Sequence, residues 1–352
     1  MSTVYILGAG ASAGYDRSAR GLKCPSAGNF FSVAAGVLRS ENGDADHHYD
    51  SLVYFLKKYY HLSPEGLEKA GLDMQDVLTF LDLELEYSDS EEEMGLLGRA
   101  RRQFIDLLTA TFGRVLEGPP CPYHGAVASS LRAGDTVISF NYDLIMDWAM
   151  ALYCPYWEDR TGYGFQSSPG EEALGGQAGK SPRVLLLKPH GSFNWVACKT
   201  CGRLYALTLN QPGHLPSCFS PGSLLPEPPG HLLEMLIIPP SLHKNIHGRV
   251  MQQIWASAHL ALEEASRVVI IGYSLPATDF LVKRLFYRAL PANRNLQEVE
   301  LVDRNNRPGK ETPLAKKYQS LLCGRGSRVR FIARRKNIGE YAQFLSEMTL
   351  KK

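Results

Sequence analysis

The sequence lacks a continuous hydrophobic run of the roughly 18 residues that a membrane-spanning helix needs. Its longest apolar runs, such as RVVIIGYSL at 267–275, are far shorter, and the first stretch, MSTVYILGAG, has neither the charged n-region nor the apolar h-region of a secretory signal. A net charge of +2 over 352 residues gives no basic field of the kind that nucleic-acid-binding proteins use. We therefore expect a cytoplasmic protein that binds neither membranes nor nucleic acid directly.

The sequence also lacks a disulfide framework. Its seven cysteines are spread over nearly the whole chain with one close pair, which differs from the dense, even-numbered pattern of small secreted domains. Reduced thiols are expected, with room for one metal site. The hydrophobic fraction of 44% and the charged fraction of 21% are ordinary for a globular protein of one large or two small domains.

Five short runs rich in aliphatic residues are each followed by a turn or a polar cluster. They lie at Val4–Leu7, Thr136–Ser139, Val184–Leu187, Arg267–Ile271 and Glu298–Val302. Their near-continuous hydrophobicity predicts strands covered on both faces, and the helix-period patterns between several of them predict an α/β fold with a doubly wound parallel sheet. The segments RVRFI and IGEYAQFLSEM predict one more strand and a closing helix.

Residues 45–117 depart from this alternation. The segments SLVYFLKKYY, DMQDVLTFLDLELEY and RRQFIDLLTATFGRVL carry apolar residues at three- and four-residue spacing, which predicts a helical insertion in a sheet domain formed by 1–44 and 118–352. The acidic run SDSEEE is interpreted as a solvated loop. Two segments rich in glycine and proline, 160–183 and 210–230, are predicted to be irregular, and the first is a candidate flap over a ligand.

Ligands of open parallel sheets bind beyond the carboxyl ends of the strands, so the residues that follow each predicted strand are the candidates for function. After the first strand comes GAGASAG, in which Gly8, Ala9, Gly10 and Ser12 form a phosphate-binding candidate, because glycine lets a backbone approach a pyrophosphate closely. The dinucleotide fingerprint is only half met, since no strand with an acidic ribose-binding residue follows about twenty positions later. A tight turn without a ligand is the alternative.

After the second strand, FNYD places Asn141 and Asp143 at a strand-to-helix junction. Both residue types commonly cap helices, which is the structural interpretation. The functional interpretation is that Asn141 orients a ribose hydroxyl or a water and that Asp143 accepts a hydrogen bond from a carboxamide.

After the third strand, KPHGS presents His190, which titrates near neutrality and suits a general base, although a lone histidine near a core is usually structural. The fourth and fifth strands are followed by GYSLPATD and VDRNN, which offer candidates for ribose and adenine contacts. These candidates are Gly272, Ser274, Asp279, Asp303 and Asn305. Turn chemistry alone is an equal alternative for each of these five.

The chain resembles the sirtuin-like (silent information regulator type) family, particularly its prokaryotic sirtuin-like-domain branch. The resemblance lies in the motifs themselves, in their order along the chain and in their positions after predicted strands. The motifs are GAGAS, FNYD, KPHGS, Cys-x-x-Cys, IIPP, IGYSLPATD and VDRN. The resemblance samples residues from about 4 to 305. It implies a Rossmann-like NAD-binding domain with a helical module and a smaller zinc-ribbon module, here placed at 194–230. It also implies that Asn141 and His190 occupy the catalytic asparagine and histidine positions.

The resemblance implies an enzyme that consumes NAD+. Where peptide-deacylating sirtuins carry an arginine-bearing segment after the glycine loop, this chain has LKCPSAGNFF, so the favoured function is an NAD+ glycohydrolase that releases nicotinamide and forms ADP-ribose or its cyclic form. Such enzymes in this branch often serve bacterial anti-phage defence. The alternatives are an NAD-dependent protein deacylase and a non-catalytic module that senses NAD or ADP-ribose. Because uncontrolled NAD+ consumption harms its host, we expect control by a homo-oligomer or a regulatory protein partner.

Cys198 and Cys201 have the spacing at which two thiolates from one tight turn bind zinc. A closed structural site needs two more ligands, and His214 and Cys218 are available. The sequence therefore predicts one structural zinc, with a degenerate ribbon of free thiols as the alternative.

Overall fold

The computed structural model describes residues 2–40, 49–63, 66–159, 161–165, 183–198, 204–207, 209, 233–239, 248–307, 310–322 and 328–350. The strands within these ranges are β1 (Thr3–Leu7), β2 (Thr136–Ser139), β3 (Leu185–Leu187), β4 (Gly191–Cys198), β5 (Leu204–Ala206), β6 (Leu233–Ile237), β7 (Arg267–Ile271), β8 (Glu298–Val302) and β9 (Arg330–Ile332). The helices are α1 (Ala9–Ser12), α2 (Phe30–Ser40), α3 (Asp50–Tyr60), α4 (Met74–Tyr87), α5 (Glu91–Val115), α6 (Pro122–Ser130), α7 (Ile145–Tyr153), α8 (Arg249–Glu264), α9 (Phe280–Ala292), α10 (Pro313–Leu322) and α11 (Ile338–Leu350). No helix in the described ranges is both long enough and apolar enough to cross a membrane.

The main sheet has six parallel strands in the order β3-β2-β1-β7-β8-β9. Counted along the chain, this is the 3-2-1-4-5-6 order of the Rossmann fold, whose direction of winding reverses beside the first strand. The predicted doubly wound parallel sheet is therefore confirmed, including the strand formed by RVRFI. Such a sheet places ligands beside the point of reversal, which here lies between β1 and β7.

Both faces of this sheet are covered. Val4, Tyr5, Ile6 and Leu7 of β1 are all buried, although successive side chains of a strand point to opposite faces. Helix α6 packs on α7 and α11, and α9 packs on α8 and α10. Burial on both faces explains why the strands are continuously apolar rather than alternating.

A second hydrophobic core lies among helices α2 to α5. Phe30 and Phe31 of α2 meet Phe104 of α5, with ring centroids 6.0 and 5.7 Å away, respectively. Helices α3, α4 and α5 fall in the predicted insertion at 45–117, while α2 begins at Phe30 and shares their core. The domain boundaries themselves remain predictions.

The acidic run SDSEEE is not a loop throughout, so that expectation is corrected. Ser90 is the N-cap of α5 and accepts a hydrogen bond from the Glu93 amide at 3.4 Å, and Glu91 to Glu93 form the first helical turn. Carboxylates are favourable there because the N-terminal end of a helix carries partial positive charge. Three acidic residues after a serine are therefore a helix start.

A small antiparallel sheet, in the order β5-β4-β6, begins just after β3 and is inserted between β3 and β7 of the main sheet. Its central strand β4 begins at Gly191, where φ is +87° and an added Cβ would lie 2.0 Å from the Leu236 carbonyl oxygen. Glycine is needed for so close an approach. The predicted irregular segment 210–230 and most of 160–183 lie outside the described residues.

Candidate functional site

The segments that follow β1, β2 and β7 are held side by side at one edge of the sheet. Leu7 is in register with both Ser139 and Ile271, so the three strands end at the same level. The Gly8 amide donates to the Ile271 carbonyl at 3.0 Å, and the Phe140 amide donates to the Leu7 carbonyl at 2.9 Å. The parallel register therefore brings together the glycine turn, FNYD and GYSLPATD, as the sequence predicted for the edge of a parallel sheet.

The glycine turn packs backbone to backbone on the end of β7. The Gly10 amide donates to the Gly272 carbonyl at 2.9 Å, and a Cβ on Gly8 would lie 2.5 Å from the Cα of Tyr273. These contacts alone require glycine at positions 8 and 10, whether or not a ligand binds. On its other side the turn exposes Ala9 and Gly10 to solvent, so a ligand has access to that backbone.

Asn141 and Asp143 are joined through Ser12 in a directed chain of hydrogen bonds. The Asn141 Nδ2 donates to the Gly8 carbonyl at 2.9 Å and to Ser12 Oγ at 2.8 Å, and Ser12 Oγ donates to Asp143 Oδ2 at 2.6 Å. Because the Gly8 carbonyl only accepts, the orientation of the Asn141 amide is fixed, with both of its N–H groups engaged. The carbonyl oxygen Oδ1 of Asn141 is the atom left to accept from a substrate or water.

Asp143 also accepts a hydrogen bond from the first amide of the helix that follows it. Its Oδ1 accepts from the Ile145 amide at 3.1 Å, at the start of α7. Burial raises the pKa of this carboxyl, against the opposing charge of Lys188. Leu144, rather than Asp143, is the N-cap residue of α7, so Asp143 has a structural hydrogen bond without being the cap, and its contact with a nicotinamide amide remains a prediction.

Lys188 is a buried cation that the sequence analysis did not single out. Its Nζ donates to the Asp143 backbone carbonyl at 2.7 Å, to Asp147 Oδ2 at 2.9 Å and to Ser192 Oγ at 2.6 Å. Tyr163 completes the coordination of Asp147 with a 2.7 Å hydrogen bond. A lysine that directly follows a run of four apolar residues was the available signal, since lysine is almost never fully buried unless paired.

His190 occupies the third position of a tight turn between the two sheets. The Gly191 amide donates to the Lys188 carbonyl at 3.0 Å, and Pro189 has the φ that the second turn position requires. On the other side, the Ile238 amide donates to the His190 carbonyl at 2.9 Å. The opening of β4 thus fixes the backbone of the histidine.

The imidazole of His190 faces a carboxylate. Its Nε2 lies 3.2 Å from Asp279 Oδ2, with His190 1% and Asp279 0% exposed. Phe140 packs on the imidazole at 4.9 Å between ring centroids, and Asn141 is the next residue of the chain. His190 and Asn141 therefore follow neighbouring strands, and the residue that precedes Asn141 packs on the imidazole of His190.

The remaining candidates for nucleotide contacts lie in turns, and the contacts seen for them are local ones. Gly272 has a φ of +63° and contacts Gly10, while Ser274 is exposed. Asp303 Oδ1 accepts from the Asn305 amide at 2.9 Å, which is the local turn chemistry given as the alternative. Contacts of these residues with a nucleotide remain predictions.

Of the four predicted zinc ligands, the structure describes only Cys198. Cys198 is buried at the end of β4, whereas Cys201, His214 and Cys218 lie outside the described residues. In the part of the chain that the structure describes, no group of three or more His, Cys, Asp or Glu side chains is arranged to hold a metal. The structural zinc therefore remains a prediction.

No family model matches the chain, and no curated protein matches its sequence. Among solved structures the chain is similar to a mutant Sir2 homologue in complex with ADP-ribose, at 15% identity and a TM-score of 0.42 over 76% of this chain and 80% of the other. It is similar to a Sir2–p53 peptide–NAD+ structure at 13% identity and a TM-score of 0.41, over 76% and 85%. It is also similar to a Sir2 homologue–NAD complex at 13% identity and a TM-score of 0.38, over 99% and 89%. A likeness at this level carries no assignment of activity.

Proposed function

We propose that the protein is an NAD+ glycohydrolase, which hydrolyses the bond between nicotinamide and ribose. The observation that carries the proposal is that a histidine and an asparagine follow neighbouring strands at the carboxyl edge of a Rossmann-type sheet, and that the asparagine is bonded to the glycine turn. His190 contacts Phe140, and Asn141 donates to Gly8 and Ser12. The resemblance of GAGAS, FNYD and KPHGS to sirtuin-like motifs supports the same function.

The reaction suits these two side chains. Departure of nicotinamide builds oxocarbenium character on the ribose, and the leaving nitrogen is already cationic, so it takes the bonding electron pair without a strong general acid. Water attacks the anomeric carbon and gives up a proton, for which His190 is the base. Asn141 Oδ1 accepts from that water or from a ribose hydroxyl, because its amide nitrogen is engaged by Gly8 and Ser12. A ribose hydroxyl in place of water gives a cyclic product.

Other candidates are assigned to the rest of the dinucleotide. We assign the phosphates to Ala9, Gly10 and Ser12, since Ala9 and Gly10 are exposed and Ser12 follows two residues after Gly10 in the same turn. The remaining contacts are proposed for Asp143 with the nicotinamide amide and for the segments after β7 and β8 with ribose and adenine. The latter residues are Gly272, Ser274, Asp303 and Asn305.

The proposal requires movement. His190 is 1% exposed, so its imidazole meets a sugar only when a covering segment is displaced.

The test is incubation of the purified protein with NAD+ and chromatography of the products, without any peptide. We expect nicotinamide together with ADP-ribose or its cyclic form. His190→Ala and Asn141→Ala should each lower nicotinamide release by about 100-fold or more, while circular dichroism and the thermal midpoint show an intact fold. His259→Ala and Asn295→Ala, on the partly exposed face of α8 and in an exposed turn, are the matched controls and should keep wild-type turnover.

Wild-type turnover in either site variant would refute the assignment. Nicotinamide release that depends on an added acylated peptide would indicate a deacylase. Tight NAD+ binding without product would indicate a sensing module.

A further inference from the structure

We infer that Asp279 is the positioning residue of the catalytic base: it holds the Nε2–H of His190 and so makes Nδ1 the atom that takes the proton. This inference deepens the proposed function and rests on it. It adds a third member to the site, contributed by the segment after β7 rather than by β2 or β3.

The side chain of Asp279 points towards His190 and away from its own helix. Asp279 is the N-cap residue of α9, a position where aspartate usually accepts from the first helical amides. Its side chain makes no such bond. Instead, Oδ2 receives Tyr273 OH at 2.6 Å and lies 3.2 Å from His190 Nε2. The carboxylate of this N-cap residue therefore contacts the histidine instead of the amides of its own helix.

Both side chains of the pair are buried. Asp279 is 0% and His190 1% exposed, and a carboxylate removed from water is costly unless hydrogen-bond donors replace its hydration. A neutral imidazole has one N–H, and an ionised carboxylate only accepts, so the N–H of His190 must lie on Nε2. The lone pair of neutral His190 is then on Nδ1.

The segment that carries Asp279 is held in place by bonds to its backbone. Three side chains from α9 and α10 hold its carbonyl groups: Tyr318 OH bonds Tyr273 O at 2.8 Å, Lys317 bonds Leu275 O at 2.5 Å, and Lys283 bonds Ala277 O at 2.5 Å. Leu275 has a φ of +52°, a conformation that a branched side chain adopts only when its surroundings impose it. Such support keeps the carboxylate in place before a substrate binds.

Among the residues that the structure describes, the groups that contact the imidazole of His190 indicate the sign of the electrostatic effect on it. Phe140 and Tyr142 come from the segment after β2, and Tyr273 and Asp279 from the segment after β7. Burial raises the pKa values of Tyr142 and Tyr273, so both phenols stay neutral. Asp279 is the charged member of this group and favours the imidazolium that forms when His190 accepts a proton.

The first experiment is nitrogen NMR of the full-length protein labelled with 15N-histidine. The signal of His190, one of ten histidines, is identified by its absence from His190→Gln. At a pH where His190 is neutral, we expect the Nε2–H tautomer. A predominant Nδ1–H tautomer in the wild-type protein would overturn the inference without recourse to any Asp279 variant.

The second experiment compares titration curves of His190. Asp279→Asn should lower its pKa by about 1 to 3 units, because the negative partner is lost. Tyr273→Phe should leave it unchanged or raise it, since Asp279 keeps its charge and loses a competing donor. Thr278→Ala, an exposed neighbour of Asp279, should have no effect. Equal shifts in Asp279→Asn and Tyr273→Phe would reveal a merely structural role and contradict the inference.

The activity arm separates this inference from the proposed function. If wild-type protein releases nicotinamide, Asp279→Asn should lower kcat by at least about tenfold and move the acid limb of the kcat/KM profile to lower pH. An acid limb that does not shift in Asp279→Asn would contradict the inference and leave the proposed function intact. If wild-type protein releases no nicotinamide, the proposed function fails, and the NMR experiments still decide whether Asp279 fixes the tautomer of His190.

Discussion

Gly10 and Gly272 touch through their backbones: a Cβ added to Gly272 would lie 2.4 Å from the carbonyl carbon of Gly10. The contact joins the turn after β1 to the turn after β7, on either side of the point where the winding of the sheet reverses. Any substrate held by the glycine turn is therefore placed relative to the segment that carries Asp279.

Gly272→Ala should destabilise the protein by at least about 2 kcal/mol, because the new Cβ meets Gly10 and because φ is +63°. The free energy of unfolding from urea titration measures this. Gly36→Ala is the matched control: nothing lies within 4 Å of its Cβ position in α2, so it should stabilise by about 0.5 to 1 kcal/mol. Equal effects of the two substitutions would contradict the contact.

Ser12→Ala should cost about 1 to 3 kcal/mol, because Ser12 is buried and both Asn141 and Asp143 lose a partner. Nicotinamide release should fall as the Asn141 amide loses its fixed orientation. The same substitution at Ser346, exposed on α11, should change neither quantity measurably. A fully stable and active Ser12→Ala protein would show that the hydrogen-bond chain has no role.

Lys188→Met should destabilise the protein by about 3 to 5 kcal/mol, because it leaves the carboxylate of Asp147 buried and unpaired. Lys188→Met combined with Asp147→Asn should recover part of the loss. Lys58→Met breaks the exposed ion pair with Glu93 and should leave the urea midpoint nearly unchanged. Failure of the double variant to recover stability would argue against the pair as the source of the loss.

Acid should destabilise the protein through His124 well before the carboxylates are protonated. Burial lowers the pKa of His124 to about 3, against about 6.5 in an unfolded chain. The unfolded state therefore binds one more proton between these values, and stability falls by roughly 1 kcal/mol per pH unit as pH drops below about 6.5. His124→Gln should flatten urea midpoints measured from pH 7 to pH 4.5, and an unchanged slope would disprove this assignment.

The main sheet was predictable because each parallel strand is an apolar run that ends at a glycine or a polar turn. The predicted Val4–Leu7 and Val184–Leu187 differ from β1 and β3 by a single residue. The acidic run was misjudged because its charge density suggested solvent, whereas Ser90 caps a helix there. Helix-start chemistry outweighed the usual meaning of a charge cluster.

The small sheet and the role of Asp279 were not predictable from the pattern. Strand β4 carries the buried polar residues Ser192 and Asn194, which belong to the Lys188 network and interrupt any apolar run. Its partner β6 lies far along the chain, and Gly191 pairs with Ile237. For Asp279 the sequence offered a nucleotide contact or turn chemistry, and the actual direction of its side chain depends on packing between segments distant in sequence.

His190 lies in the short connection between the two sheets. Lys188 and Pro189 link it to β3 of the large sheet, and Gly191 is the first residue of β4 in the small sheet. With its carbonyl bound to the Ile238 amide as well, the backbone of the histidine is tied directly to the small sheet. A shift of β4 or β6 relative to the large sheet would therefore reach His190 through one peptide bond and one hydrogen bond, without passing through the core.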